Sequence, residues 1–351
     1  MLDPDLAGFV ADATGGRIET AERIAAGASR ATWRVDVARG GEIRPLVLRS
    51  DSGDGPLSGT ELTLAREAAV YRALADTPVR IPRLLAANRE GSALLLERAP
   101  GRDAFAEIGD PQQRQRIASD YFEALAALHD LDALTLDVPP LERPAGPRDA
   151  ARVDLALWRR IALARLPRRE DLLELSFRWL EAHAPPDAEQ ISLCHGDAGP
   201  GNFLFDDTGV TALLDWEFAH WGDPTDDLAW IAVRAQLLGG FGDLSLGFRS
   251  WSRAIGLRVD AHRLEYYRAL VLTRMTVSCV IALGHAGERS MDTGVYALLL
   301  PYLRALLPQA LDRAGCDPAE TAPFHAEGEA AVAASPVLRA QARPLDPLPI
   351  S

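Results

Sequence analysis

Residues 201–216, GNFLFDDTGVTALLDW, carry a β-hairpin pattern inside a region whose other segments repeat at helical spacing. Two short apolar runs flank a turn centred near Thr208–Gly209. Antiparallel pairing about that centre sets Asn202 opposite Asp215 at the open end, and cross-strand neighbours lie about 5 Å apart. The chain enters the hairpin through SLCHGDAGP, residues 192–200, where Gly196, Gly199, Pro200 and then Gly201 specify a backbone path that ordinary residues resist. A fold that accommodates this segment must hold a polar loop bearing Asp197 at the mouth of a hairpin bearing a carboxamide and a second carboxylate.

Hard oxygen donors gathered at one spot suit Mg²⁺, which takes one or two protein carboxylates and leaves room for substrate phosphates. Asn202 and Asp215 are therefore the candidate metal ligands, and Asp197 is the candidate general base for a nearby hydroxyl. A single Asp in a glycine-rich loop is usually turn chemistry. The order of all three residues is what carries the functional reading. Cys194 precedes His195, but adjacent side chains in an extended segment point to opposite faces, so Cys194 is assigned to packing.

A chain of 351 residues is long enough for two packed lobes. Its formal charge of -13 argues against a nucleic-acid partner, and the Arg-Arg pairs at 159–160 and 168–169 read as a solvated face. All 37 basic residues are arginine, which excludes a Walker A lysine and a pyridoxal Schiff base. The three scattered cysteines fit a reducing cytoplasm and no disulfide framework. The first residues, MLDPDLAGFVADATGG, do not read as a signal peptide. The apolar run VYALLLPYLRALLPQAL is broken by Pro301, Arg304 and Pro308 and reads as packed helix, so no membrane partner is expected.

Residues 1 to about 20 read as a short helix and turn, followed by strands at TWRVDV and RPLVLRS around the turn signal ARGGE. SGTELTLAREAAVYRALAD has helical spacing, with Ser58 or Thr60 as its N-cap. Two more short strands fall around LLAAN and SALLLER, and most of the chain beyond them has helical stripes. In the helix, Leu64, Val70, Tyr71 and Leu74 surround Glu67, which puts a charge on the apolar face that is costly unless paired. Arg49, ending the apolar run PLVLRS, is the available partner.

The order Asp-x-x-x-x-Asn, hairpin, Asp is that of kinase active sites. LCHGDAGPGNFLF with ALLDWEFAHWGDPTDDLAW resembles the aminoglycoside phosphotransferase-like kinase superfamily, in which His-Gly-Asp replaces the His-Arg-Asp of protein kinases. Within it the sequence is most similar to bacterial phosphotransferases akin to the kinase-like domain fused to some acyl-CoA dehydrogenases. The order of elements extends the likeness across roughly residues 20 to 310.

The resemblance implies an α+β, bilobal protein-kinase-like fold. Residues 1–98 would form an antiparallel-sheet lobe with one main helix that binds nucleotide, and residues 99–320 a larger helical lobe with the catalytic and acceptor sites. Residues 321–351 would be a loosely packed tail. It further implies ATP, or GTP in its place, with Mg²⁺, and a small-molecule hydroxyl as acceptor. Arg49, braced by Glu67, would hold the nucleotide phosphates at a position where the superfamily usually has lysine. Ser29 would contact phosphate from a loop with one glycine, Gly27, and Glu97 and Ala99 would offer backbone groups to adenine. Asp227 would open a helix as its N-cap and also brace the loop of His195 and Asp197, with His195 a structural hydrogen-bonder. Trp216 and Glu217 come directly after the metal aspartate and would line the acceptor site, although a packed Trp and a loop Glu fit equally. Two functions stay open: phosphotransfer to a small-molecule hydroxyl, and nucleotide binding by a pseudokinase or regulatory module, for which Arg49 and the poor glycine loop speak.

Overall fold

Five antiparallel strands build the N-terminal lobe in the order β1-β2-β3-β5-β4. They are β1 (Arg17–Ile24), β2 (Ala31–Arg39), β3 (Glu42–Ser50), β4 (Leu84–Ala87) and β5 (Ala93–Glu97). This computed structural model describes residues 2–24, 30–51, 53, 57–239, 241–284, 294–348 and 350. Gly27 and Ser29, expected at the phosphate loop, lie outside the described residues. The period-two alternation of β3 sorts its side chains. Leu46 and Leu48 join Val10 of helix α1 (Pro4–Thr14), together with Val35, Val37 and Leu95, on one face. Val47 and Arg49 therefore turn to the other face, where helix α2 (Leu64–Leu74) lies.

Sequence periodicity missed β1, whose first residues were expected within a helix and turn ending at about residue 20. RIETAERI has no buried residue and lies at the edge of the sheet, so burial imposes no apolar alternation on it, and charges protect its outer side. The N-cap of α2 is Thr63, whose side chain accepts from the Arg66 amide, rather than Ser58 or Thr60. Those two are committed elsewhere: Ser58 donates to Asp51, and Thr60 to the Leu57 carbonyl.

The C-terminal lobe is helical: α3 (Pro111–His129), α4 (Arg152–Arg165), α5 (Asp171–Ala182), α6 (Thr225–Leu238), α7 (Leu244–Ile255), α8 (Ala261–Gly284) and α9 (Gly294–Ala314). Two small ladders interrupt it. β6 (Ser192–Cys194) pairs with β9 (His220–Gly222), and β7 (Phe203–Phe205) with β8 (Val210–Leu213). The first pair is fully buried and three residues long, too short for periodicity to reveal. By length and composition α8 and α9 could each cross a membrane, but 78% of the apolar window of α8 is buried among the other helices. Arg66 of α2 joins the lobes by donating to the Ala219 carbonyl at 2.6 Å.

Most described residues of the segment expected to pack loosely are exposed or half-buried, and the segment is attached at a few points. Helices α10 (Pro318–Ala334) and α11 (Pro336–Gln341) continue from α9, with Leu338 buried. The extended end beyond them is held by its backbone: Tyr302 receives the Arg343 amide, Gln309 that of Leu345 and Gln236 that of Asp346. Few large apolar residues were needed, because side-chain amides and a phenol satisfy an extended backbone directly.

Candidate active site

The β7–β8 hairpin closes through Asp206, whose carboxylate accepts from the Thr208 and Gly209 amides and the Thr208 hydroxyl. A bulge between Leu204 and Phe205 shifts the register, so Phe203 faces Leu213 and the Asn202 carbonyl accepts from Leu214 at 2.9 Å. Asn202 is thus opposite Leu214, one residue away from the expected Asp215. The Phe205–Val210 pair centres the turn on Asp207–Thr208, one position earlier than expected, and the extra β8 residue at the bulge recovers one of the two residues of offset that this creates. Directly after the strand, Asp215 takes φ 66°, the left-handed region that a non-glycine residue rarely occupies, so the chain turns sharply at this carboxylate.

Asp215 meets the N-terminal lobe through Arg49. One Nη of Arg49 donates to Glu67 at 2.8 Å and the other to Asp215 at 2.9 Å. Glu67 is completely buried and the Asp215 side chain is 30% exposed, so the fork joins the core of one lobe to an open carboxylate of the other. Burial drives the Glu67 carboxyl up to about 7 against the opposing pull of Arg49. At Asp215 burial also pushes upward, but Arg49, with help from Arg234, leaves that carboxyl below the ordinary aspartate value.

A folded-state value above the unfolded one means that Glu67 contributes stability below its unfolded pKa and loses it as pH rises through about 7. Unfolding free energy measured by urea titration is expected to fall between about pH 4.5 and pH 7. In Glu67→Gln that segment of the profile flattens, and a carboxyl band titrating near pH 7 in difference infrared spectra disappears.

The loop around Asp197 is tied from three sides. Asp227 is completely buried and accepts the His195 amide at 2.7 Å and the Gly196 amide at 2.8 Å. It is not the N-cap of α6, a position held by Pro224; Asp223, just before it, accepts the Thr225 amide at 2.9 Å, and the Asp227 carboxylate serves the loop. His129 supports Asp227 from behind with Nε2 at 2.9 Å, while its Nδ1 accepts from the Trp251 indole. The His195 Nε2 donates to the Leu214 carbonyl at 2.8 Å while its Nδ1 accepts the Asp197 amide at 3.3 Å, so the ring bridges loop and hairpin with a single N–H, and burial holds its pKa below the usual value. At Gly196, φ +80°, a Cβ would sit 2.0 Å from the Phe218 carbonyl oxygen, so only glycine fits between the loop and the segment after β8.

Asp197 itself is held by Asn202, whose Nδ2 donates to its carboxylate at 2.6 Å and to its carbonyl at 2.8 Å. The Asn202 carboxamide oxygen therefore points away from Asp197. Arg234 of α6, which the sequence did not single out, donates to the other carboxylate oxygen. Burial raises the Asp197 pKa more than Arg234 lowers it, so this carboxyl lies above the ordinary aspartate value. Two neighbouring carboxylates are thereby pushed apart, Asp197 above and Asp215 below the ordinary aspartate value.

The other expected positions separate into groups. Trp216 is fully buried against His195, with ring centroids 4.6 Å apart, which is the packed position of the two that the sequence left open. Glu217 is buried and lies within the electrostatic reach of Arg49. The Glu97 amide is committed to the Arg83 carbonyl and its side chain to Arg44; Ala99 comes after β5 in a half-buried position. Cys194 is buried, and desolvation moves its thiol well above the usual value, which fits packing. Arg234 could not be found from sequence because it lies 37 positions after Asp197, on a helix whose buried residues run almost continuously.

A bilobal kinase-like fold, with an Asp-x-x-x-x-Asn loop and an Asp after a hairpin meeting an arginine–glutamate pair, defines the phosphotransferase class. The phosphotransferase enzyme family matches residues 20–274, and the chain belongs to it. Mouse acyl-CoA dehydrogenase family member 10 is 29% identical over 218 residues, 59% of this chain and 20% of that protein. Chicken acyl-CoA dehydrogenase family member 11 is 30% identical over 191 residues, 50% of this chain and 23% of that protein, so the chain spans about a fifth of the length of these relatives. Among solved structures, a candidate aminoglycoside phosphotransferase of Ralstonia eutropha JMP134 superposes with a TM-score of 0.62 at 19% identity, covering 94% of this chain and 99% of that one. The complex of streptomycin, ATP and aminoglycoside phosphotransferase APH(2″)-IIa gives 0.55 at 15% identity, covering 80% and 91%. At these identities the superpositions establish the fold.

Proposed function

We propose that the protein transfers the terminal phosphoryl group of ATP to a hydroxyl of a small molecule in a Mg²⁺-dependent reaction. The observation that carries this reading is the meeting of two differently tuned carboxylates with an interlobe guanidinium. Asp197 is raised above its ordinary value, Asp215 is held below it, and Arg49 links Asp215 to Glu67. Asp197 would orient the acceptor hydroxyl and take its proton. Arg49, held by Glu67, would bind nucleotide phosphates with its planar fork, a geometry that lysine does not share. Ser29 and the backbone at Glu97 and Ala99 remain the proposed nucleotide contacts.

The donor set fits Mg²⁺. Asn202 offers a carboxamide oxygen turned away from Asp197, and Asp215 keeps a carboxylate oxygen not used by Arg49. When bound, the ion would offset phosphate charge. Asp227, His129 and His195 keep the loop in place, and all three are completely buried. A cytoplasmic location is part of the proposal, in keeping with three buried, unpaired thiols.

A nucleotide-binding module without transfer is favoured by one observation, the engagement of Asp215 and Asp197 by arginines. A screen of Mg-ATP turnover across hydroxylated acceptors separates the two readings. Acceptor-dependent ADP release is expected from the native chain, and Asp215→Ala is expected to lose both turnover and the Mg²⁺ dependence of nucleotide binding. Nucleotide binding with no turnover on any acceptor would favour the module.

A further inference from the structure

We propose that Arg234 is a catalytic residue of this site, stabilising the charge of the phosphoryl group as it passes to the acceptor; this rests on the phosphotransfer reading above. Arg234 reaches from α6 under the loop of Asp197. One Nη donates to the Asp197 carboxylate and the other to the Pro200 carbonyl at 2.6 Å, while the side chain stays 16% exposed. Its Nε is buried without a partner among the described residues.

The loop is shaped around this guanidinium. A Cβ at Gly199 would approach the Arg234 Cδ to 3.0 Å, and one at Gly201 would approach Nη2 to 3.2 Å. Both glycines have left-handed φ, +136° and +96°, so neither position tolerates a side chain easily. Glycines that set a turn in the sequence thus also clear a passage for an arginine 33 to 35 positions later.

A latch would not need a cation here. Asp227 already binds two loop amides, and Asn202 binds the Asp197 carbonyl. Burying a guanidinium is costly unless its charge is used or well paired, and here the pairing carboxylate is Asp197, the group at which the acceptor hydroxyl would sit. The position of Arg234 supplies the use. An acceptor hydroxyl must lie within about 3 Å of the Asp197 carboxylate to deliver its proton, and its oxygen must lie within about 3.5 Å of the phosphorus it attacks. The phosphoryl oxygens then fall within reach of a guanidinium already bonded to that carboxylate. Arg49, proposed above for the nucleotide phosphates, bonds Glu67 and Asp215 and makes no bond to Asp197, so it does not duplicate a cation placed at the acceptor side.

In the step itself the acceptor O–H proton goes to the Asp197 carboxylate, and the acceptor oxygen forms a bond to the γ-phosphorus. The bond from that phosphorus to the β–γ bridging oxygen breaks, and the oxygen leaves with the electron pair on ADP. As Asp197 becomes neutral its ion pair with Arg234 is lost, and the guanidinium transfers its hydrogen bond to a phosphoryl oxygen. Arg234 keeps all of its protons.

The test is steady-state turnover of Mg-ATP by the full chain and by Arg234→Ala, Arg234→Lys and Asp197→Ala, with nucleotide affinity measured by calorimetry. Arg234→Ala is expected to lose about 10³-fold in kcat, the lower end of what such an arginine supplies, with ATP affinity close to native. Lysine should restore little of this, because it lacks the fork. Added guanidinium should partly restore Arg234→Ala in a saturable way and leave Asp197→Ala unchanged. Native kcat in Arg234→Ala would overturn the assignment, as would a loss confined to ATP affinity and thermal stability without guanidinium rescue. If the native chain turns over no faster than Asp197→Ala, the phosphotransfer reading itself fails and takes this inference with it.

Discussion

Asp197→Ala is expected to abolish nearly all phosphoryl transfer while leaving nucleotide binding intact. A positioned general base contributes about 10²- to 10⁴-fold, and Asp197 also orients the acceptor, so the loss should fall toward the upper end. Nucleotide contacts are assigned to Arg49 and Glu67 on the N-terminal lobe and to Asp215, none of which bonds to Asp197. The loss should therefore appear in kcat, with ATP affinity by calorimetry unchanged. Asp197→Asn keeps the shape and the contact with Asn202 but cannot take a proton, so it should be nearly as inactive. Full transfer by either variant would remove Asp197 from the mechanism and reopen the assignment of the whole loop.

Asp227→Ala is expected to be the most destabilising single change in the C-terminal lobe. It leaves the His195 and Gly196 amides and the His129 Nε2 donor without their acceptor in a completely buried setting. Each orphaned donor costs about 1–3 kcal/mol, and relaxation shares the cost, so a total near 3–5 kcal/mol is expected from urea unfolding. The pH dependence has a definite sign. Burial pushes the Asp227 carboxyl up, but the hydrogen bond from His129 and those from the His195 and Gly196 amides hold it below its ordinary value. A folded pKa below the unfolded one means that this stability is present above about pH 4 and is lost as pH falls through the folded pKa. The native chain should therefore lose stability in acid more steeply than Asp227→Ala. Parallel acid limbs would show that Asp227 is not the buried anion holding the loop.

Much of the site was legible because its chemistry is local in sequence. Asp197 and Asn202 lie five residues apart, and the hairpin returns Asp215 within a further thirteen. Arg49 and Glu67 were legible for another reason: a charge on the apolar face of an amphipathic helix requires a partner, and the alternation of β3 supplies one on the facing side. Asp227 was legible as a residue at a helix start but not in its task, because Asp223, just before that helix, takes the Thr225 amide and only the packed loop shows which carboxylate serves it. For Trp216 the sequence left a packed and a site-lining position equally open, because an aromatic next to Asp215 can face either way, and the left-handed turn at Asp215 sends it into the core.

By itself the sequence determined the lobed α+β plan, the loop–hairpin unit and the pairing of Arg49 with Glu67, since periodicity, turn chemistry and the cost of a buried charge act over short stretches of chain. Only the tertiary structure decided the register beyond the bulge, the points at which the tail is attached and the placement of Arg234 beneath Asp197. These depend on which surfaces meet when helices and loops distant in sequence pack together. No local pattern in the chain encodes that choice, because a buried arginine and a solvated one look the same until a carboxylate is packed against one of them.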